Sequence, residues 1–264
     1  MQRQSKAGIA FAAGRWPLDR ERPTLLFIHG AGSTGAFWDE HVVGLAGRAN
    51  TLAVDLPGHG QSPPAAGTGV ADHARAVWSL IEALAPPRPV PVGFSMGGAI
   101  VQQLLADHPG ALPGAVLVST GAKLAVAPAI LELIATDYDA YLAQVGQISA
   151  SPSTDPARLE AAIADRALCA PEVALADFRA CDAFDLRQRI PAIETPVLII
   201  SAAEDQLTPP AYAEWLERRL PAARRVHLDR AGHLVPVERP QPVAEAIRTF
   251  LDETTGDSPS SSNG

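Results

Sequence analysis

Short, nearly unbroken apolar runs recur along the chain: TLLFIH at 24–29, NTLAVD at 50–55, PVPVGF at 89–94, AVLVST at 115–120, PVLIIS at 196–201 and RVHLD at 225–229. Most lack the strict alternation of a half-exposed strand, and continuous hydrophobicity is what a strand covered on both faces requires. Between the runs, apolar positions return at helical spacing. Ala74, Val77, Leu80, Ile81 and Leu84 share one helical face, and Val243, Ile247, Phe250 and Leu251 share another. Strand and helix in alternation predict an α/β architecture, a mostly parallel sheet with helices on both faces.

The alternation breaks once. Between Ser119 and Pro196 about 75 residues carry no convincing strand, and a structureless loop of that length does not fit a compact domain. LAVAPAILELIATDYDAYLAQV, ARLEAAIADRALC and PEVALADFRACDAF read as helices, with the Ser/Pro-rich SASPSTDP among them. The expected organisation is an α/β core from 1–120 and 196–254, a helical cap at 121–195, and a polar, low-complexity, disordered tail at 255–264.

Composition then narrows the function classes. With 47% hydrophobic and 19% charged residues the chain is an ordinary globular one. Its 21 basic and 29 acidic residues, net −8, weigh against a nucleic-acid surface. The start, MQRQSKAGIAFAAGRWPLDRE, lacks a signal-like apolar run, and no apolar stretch approaches membrane-span length, so no membrane association and a cytoplasmic location are expected. Cys169 and Cys181 read as two free, half-buried thiols. No His, Cys, Asp and Glu cluster has ligand spacing, so neither metal nor organic cofactor is expected, only a small-molecule substrate.

The chemistry concentrates at strand ends. Gly93-Phe94-Ser95-Met96-Gly97-Gly98 lies between an apolar strand and the helical AIVQQLLADH, the context of a nucleophile elbow. Such a turn strains a non-glycine residue and demands small residues two places either side, where Gly93 and Gly97 stand. His29-Gly30-Ala31-Gly32 ends the strand TLLFIH, where the second N–H of an oxyanion hole belongs. Met96 and Ala31 are the candidate donors, with Gly32 the alternative to Ala31; His29 reads as a loop-pinning residue.

A serine nucleophile needs a base, and the base an orienting acid. His233, in RAGHLVPVERP after the last strand, stands at the sheet end where ligands of such folds bind. His41, His73 and His108 fall in or at the ends of amphipathic helices and read as solvated; His227 lies within a strand and His59 in a turn-rich loop. For the acid, Asp205 in SAAEDQLTP is favoured over Glu204, with Asp229 third. Ser95, Asp205, His233 is then the chain order of one known fold.

These residues make the chain resemble the α/β-hydrolase superfamily, in particular its capped esterases, enol-lactonases and related bacterial hydrolases. LLFIHGAGSTGAFWDEHV, AVDLPGHGQS, GFSMGGAIVQQLLADHP, PVLIISAAEDQLTP and AGHLVPVERP carry the likeness over residues 20–252. The resemblance implies a nucleophile at Ser95, an acid at Asp205, a base at His233, oxyanion N–H groups from Ala31 and Met96, and structural roles for His59 and Glu238. It implies a serine hydrolase cleaving a small carboxylic ester or lactone through an acyl-enzyme. Carbon–carbon bond hydrolysis and cofactor-free perhydrolysis use the same triad in other members, and the motifs do not separate them. A binding protein that kept the fold is the rival reading; the strained elbow argues against it. The cap's Tyr138, Tyr141, Phe178 and Phe184 read as cap core or as an apolar pocket, and Arg179, Arg187 and Arg189 as a solvated face.

Overall fold

The computed structural model describes residues 1–256. Eight strands form one sheet in the order β1-β2-β4-β3-β5-β6-β7-β8, namely β1 (Gln2–Lys6), β2 (Ile9–Ala13), β3 (Thr24–Ile28), β4 (Asn50–Asp55), β5 (Pro89–Phe94), β6 (Ala115–Val118), β7 (Val197–Ala202) and β8 (Ala223–Leu228). From β4 to β8 every pairing is parallel, while β1 and β2 join antiparallel at one edge. The helices are α1 (Asp39–Leu45), α2 (Val70–Leu84), α3 (Met96–Asp107), α4 (Pro128–Thr136), α5 (Tyr138–Ser149), α6 (Pro156–Ala167), α7 (Pro171–Ala183), α8 (Pro210–Arg219), α9 (Val235–Glu238) and α10 (Pro240–Thr255).

All of β3 is buried, yet its side chains divide by the two-residue period of a strand. Leu26 and Ile28 join the core beneath α2 and α3, with Ala74, Val77, Leu80 and Ile100. Leu25 and Phe27 join the opposite core beneath α1 and α10, with Val42, Leu45, Val243, Ile247 and Phe250. Helices therefore cover both faces, which is why the strand sequences are continuously apolar.

Four helices, α4 to α7, stand between β6 and β7. They enclose a small cluster of their own around Ile134, Tyr141, Val145, Cys169 and Ala174. A Lys123–Asp185 bridge and the Leu186 N–H to Ala122 carbonyl bond close the base of this excursion.

One hairpin was not foreseen and three expectations need correction. The hairpin β1–β2 does not stand out in the sequence: IAFAA is only five residues long, and its turn, Ala7-Gly8, is set by left-handed φ values of 50° and 76°. His41 and His73 are buried, at 2% and 1% exposure, because they adjoin Val42 and Ala74 on the inward faces of α1 and α2. Both cysteines are free but buried, not half-buried. Thr255 closes α10 and is not part of a tail; the remainder of the expected tail, from 257 on, lies outside the described residues. No helix among the described residues is long and apolar enough to cross a membrane.

Candidate active site

β3 lies between β4 and β5, so the chain leaves the carboxyl ends of β3 and β5 toward different neighbours and opens a crevice there. Both glycine-rich loops flank it. After β5 the chain turns at Ser95, whose φ of 52° and ψ of −114° lie outside the ordinary regions for a residue with a side chain. A Cβ on Gly93 would stand 2.2 Å from the Gly97 carbonyl oxygen, and one on Gly97 2.3 Å from that of Ile28. Glycine is thus obligatory at both places. The turn is held by the Ser95 N–H donating to the Val118 carbonyl (2.9 Å) and by the Thr120 hydroxyl donating to the Ser95 carbonyl (2.8 Å).

Asp205 follows β7 and His233 follows β8. His233 Nδ1 lies 3.0 Å from Asp205 Oδ2, and His233 Nε2 lies 3.1 Å from Ser95 Oγ. A carboxylate only accepts, so Nδ1 carries the proton and Nε2 is left to accept from the serine hydroxyl. Asp205 is further fixed by the Leu207 and Thr208 N–H groups on Oδ1 (2.9 and 2.8 Å) and by the Thr208 hydroxyl on Oδ2 (2.7 Å). Burial works to raise its pKa, but His233 and these donors outweigh it and hold the carboxyl below its usual range. Glu204 and Asp229, the other two acids considered, are exposed. Glu238 accepts from Gly232, Ser151 and Thr154 and so ties the His233 loop to the segment between α5 and α6.

On the other side of Ser95, the N–H groups of Ala31 and Met96 donate to no acceptor among the described residues. Gly32 is different: its N–H donates to Asp177 Oδ2 at 2.9 Å, which removes it as the alternative donor. His29 pins the loop, its Nδ1–H donating to the Gly30 carbonyl (2.8 Å) and its Nε2 accepting from the Leu56 N–H (3.1 Å). That pattern fixes a neutral imidazole, and burial, aided by nearby His59, pushes its pKa down to about 3.

Sequence reasoning missed the residues behind this loop. Asp177 of α7 is 1% exposed and accepts from His59 Nε2 at 2.8 Å, with His73 Nε2 at 3.7 Å. His59 Nδ1 faces the Pro57 carbonyl (3.2 Å), so both its ring nitrogens meet acceptors and the ring is an imidazolium. Burial opposes that charge, but Asp177 overrides it and pushes the pKa up to about 10. Arg166 of α6, 6% exposed, donates through Nη1 to the Ala31 carbonyl at 3.0 Å. Asp165 accepts from the Ser33 hydroxyl (2.6 Å) and the Thr34 N–H (3.2 Å). No local motif signals the bonds made by Asp165, Arg166 and Asp177, because the partners are separated by 118 to 145 positions.

Ser95 and His233 border a cavity of about 330 Å³, walled by Ile130, Val145, Ile148 and Phe178, with Arg166 at its edge. Of the four aromatic residues considered, Phe178 alone lines it; Tyr141 packs among α4, α5 and α7, and Phe184 in the core beneath α2 and α3. Arg187 pairs with Asp185 and Arg189 with Asp107, and neither borders the cavity. Among the described residues no group of three or more His, Cys, Asp or Glu side chains is arranged to hold a metal ion.

Residues 25–246 match the alpha/beta hydrolase family. The chain is 30% identical over 247 residues to a pimeloyl-[acyl-carrier protein] methyl ester esterase of Neisseria meningitidis, covering 87% of this chain and 78% of that protein. Among solved structures it is similar to a hydrolase from Pseudomonas aeruginosa PA01, with 28% identity, a TM-score of 0.82 and 92% and 94% of the two chains covered. It is also similar to the enol-lactonase from Burkholderia xenovorans LB400, with 25% identity, a TM-score of 0.85 and 95% and 99% covered. With the family matched across most of its length and the sheet order, elbow and strand-end loops in place, the chain belongs to the alpha/beta hydrolase family and is an enzyme of the hydrolase class.

Proposed function

We propose that the protein is a serine hydrolase that cleaves a small carboxylic ester or lactone through an acyl-enzyme, with Ser95 as nucleophile, His233 as base and Asp205 as orienting acid. The observation that carries this reading is the unbroken line Asp205–His233–Ser95, with contacts of 3.0 and 3.1 Å, beside two unoccupied backbone N–H groups. In the first half-reaction Ser95 Oγ attacks the acyl carbonyl while its proton passes to His233 Nε2. The carbonyl oxygen becomes an oxyanion, which the Ala31 and Met96 N–H groups and the start of α3 receive. Collapse expels the alcohol, protonated by His233, and water then repeats the sequence on the acyl-enzyme. Asp205 holds the tautomer and stabilises the imidazolium throughout.

The segment 121–195 is read as the cap, and the apolar cavity beneath it as the acyl pocket. At about 330 Å³ the cavity is near the lower end for small-ligand sites, which fits a short or cyclic acyl group. The relatives named as a methyl ester esterase and an enol-lactonase both act on carboxylic esters, open or cyclic, and support that class. The test is hydrolysis of p-nitrophenyl acetate and butyrate combined with fluorophosphonate labelling. Turnover with the label on Ser95 is expected; a label on another serine, or none with turnover intact, overturns the assignment.

A further inference from the structure

The loop after β3 is held at both ends of one peptide unit by residues from α6 and α7. The Ala31–Gly32 peptide accepts at its carbonyl from Arg166 Nη1 (3.0 Å) and donates through its N–H to Asp177 Oδ2 (2.9 Å). The preceding peptide, Gly30–Ala31, is fixed at its carbonyl by His29 Nδ1 (2.8 Å). Both planes that meet at the Ala31 Cα are therefore set by side chains, and with them the direction of the Ala31 N–H. Asp177 cannot drift, since His59 Nε2 holds the same Oδ2 at 2.8 Å.

A buried charge pair returns little net stability compared with apolar packing, so stability alone is a weak reason for burying Asp177 and His59 at 1% and 2% exposure. Aiming a donor is a stronger one. An oxyanion donor acts only if it points at the place where charge develops, and one lost donor costs about 10²–10³-fold in kcat. Occupation of the Gly32 N–H also takes that donor away from the oxyanion, whereas the Ala31 N–H has no acceptor among the described residues.

We propose that Asp177, seated on His59, and Arg166 are positioning residues for the oxyanion hole: together they clamp the Ala31–Gly32 peptide and thereby aim the Ala31 N–H. The inference rests on the serine hydrolase reading above. It makes the segment 121–195 a part of the catalytic apparatus as well as a wall of the pocket. The effect belongs to the transition state, because the ground-state carbonyl carries little charge for the donor to meet.

The experiment compares wild type, Asp177→Ala, Asp177→Asn and Arg166→Met on p-nitrophenyl butyrate and on a trifluoromethyl ketone, whose serine adduct carries the oxyanion. Asp177→Ala is expected to lower kcat by about 10²-fold with KM changed only a few-fold, and to weaken the ketone by a similar factor. Asp177→Asn should recover most of both, since its amide oxygen still accepts the Gly32 N–H. Arg166 borders the cavity, so Arg166→Met is read on kcat and ketone affinity, and both should fall. A folded Asp177→Ala with unchanged kcat, a loss confined to KM, or undiminished ketone affinity overturns the proposal. Should Asp177→Ala not fold, Arg166→Met decides, and a retained kcat there overturns it equally. Failure of the wild type to turn over any ester or to take the fluorophosphonate would instead remove the reading on which the inference stands.

Discussion

At the scale of single residues the decisive feature is a strained serine between two glycines that nothing larger can replace. Gly97→Ala would place a Cβ against the backbone of β3, at 2.3 Å from the Ile28 carbonyl, where no side chain can rotate away. We expect a loss of about 3 kcal/mol or more in unfolding free energy, as overpacking here must move backbone, and a urea titration measures it. A loss below about 1 kcal/mol would mean that the elbow is looser than its geometry. Ser95→Ala should leave stability intact and lower kcat by roughly 10⁶-fold if the three residues act as a unit; more than a few per cent of activity in a pure sample contradicts the nucleophile assignment. The elbow was legible because its size limits act on neighbours in sequence. The choice between Ala31 and Gly32 was not, since it depends on where Asp177 lies, and Asp177 follows Gly32 by 145 positions.

At the scale of elements, the parallel strands and the helices over both faces follow from continuous apolar runs and helical stripes, and six of the eight strands were recognisable on that basis. The β1–β2 hairpin was hidden by its brevity. The helices of 121–195 were recognisable too, but their inward faces were not: the same spacing places Tyr141 among its fellow helices and Phe178 on the cavity. Pattern specifies that a face is buried, not what it is buried against. This segment also reaches residues 31–34 through α6 and α7. Selectivity should still respond to it. Phe178→Ala enlarges the apolar end of the cavity, so kcat/KM for p-nitrophenyl hexanoate and octanoate should rise several-fold relative to the acetate. A ratio that stays the same across the acyl series would show that the pocket lies elsewhere. Ile148→Trp, narrowing the same wall, should shift the ratio the other way.

At the scale of the whole molecule, buried histidines of opposite character set the pH range of stability. His29 and His41 are held neutral, burial pushing their pKa values down to about 3 and about 4. In the unfolded chain such groups titrate near 6.5, so between about pH 6.5 and 4 the unfolded state binds the extra protons. Stability is present above 6.5 and falls with acid, each group contributing a slope of about 1.4 kcal/mol per pH unit. His59 works in the other direction. With its folded pKa up at about 10, it stays protonated in the native state where the unfolded imidazole has lost its proton. Its contribution is complete below about 6.5 and is lost as pH rises through 10. Asp177 and Asp205, both held below the usual carboxylate range, add loss only at stronger acid. The Cys181 thiol, which burial pushes up, adds loss only above the ordinary thiol range near 8.5, so the decline between pH 6.5 and 8 belongs to His59. The expected outcome is a maximum in the urea midpoint near pH 6.5 with decline on both sides. Asp177→Asn removes the charge that holds His59 protonated, so it should lower the maximum and flatten the limb from 6.5 to 8 while leaving the limb from 6.5 to 4 in place. An alkaline limb as steep in Asp177→Asn as in the wild type would mean that His59 is not an imidazolium in the folded protein.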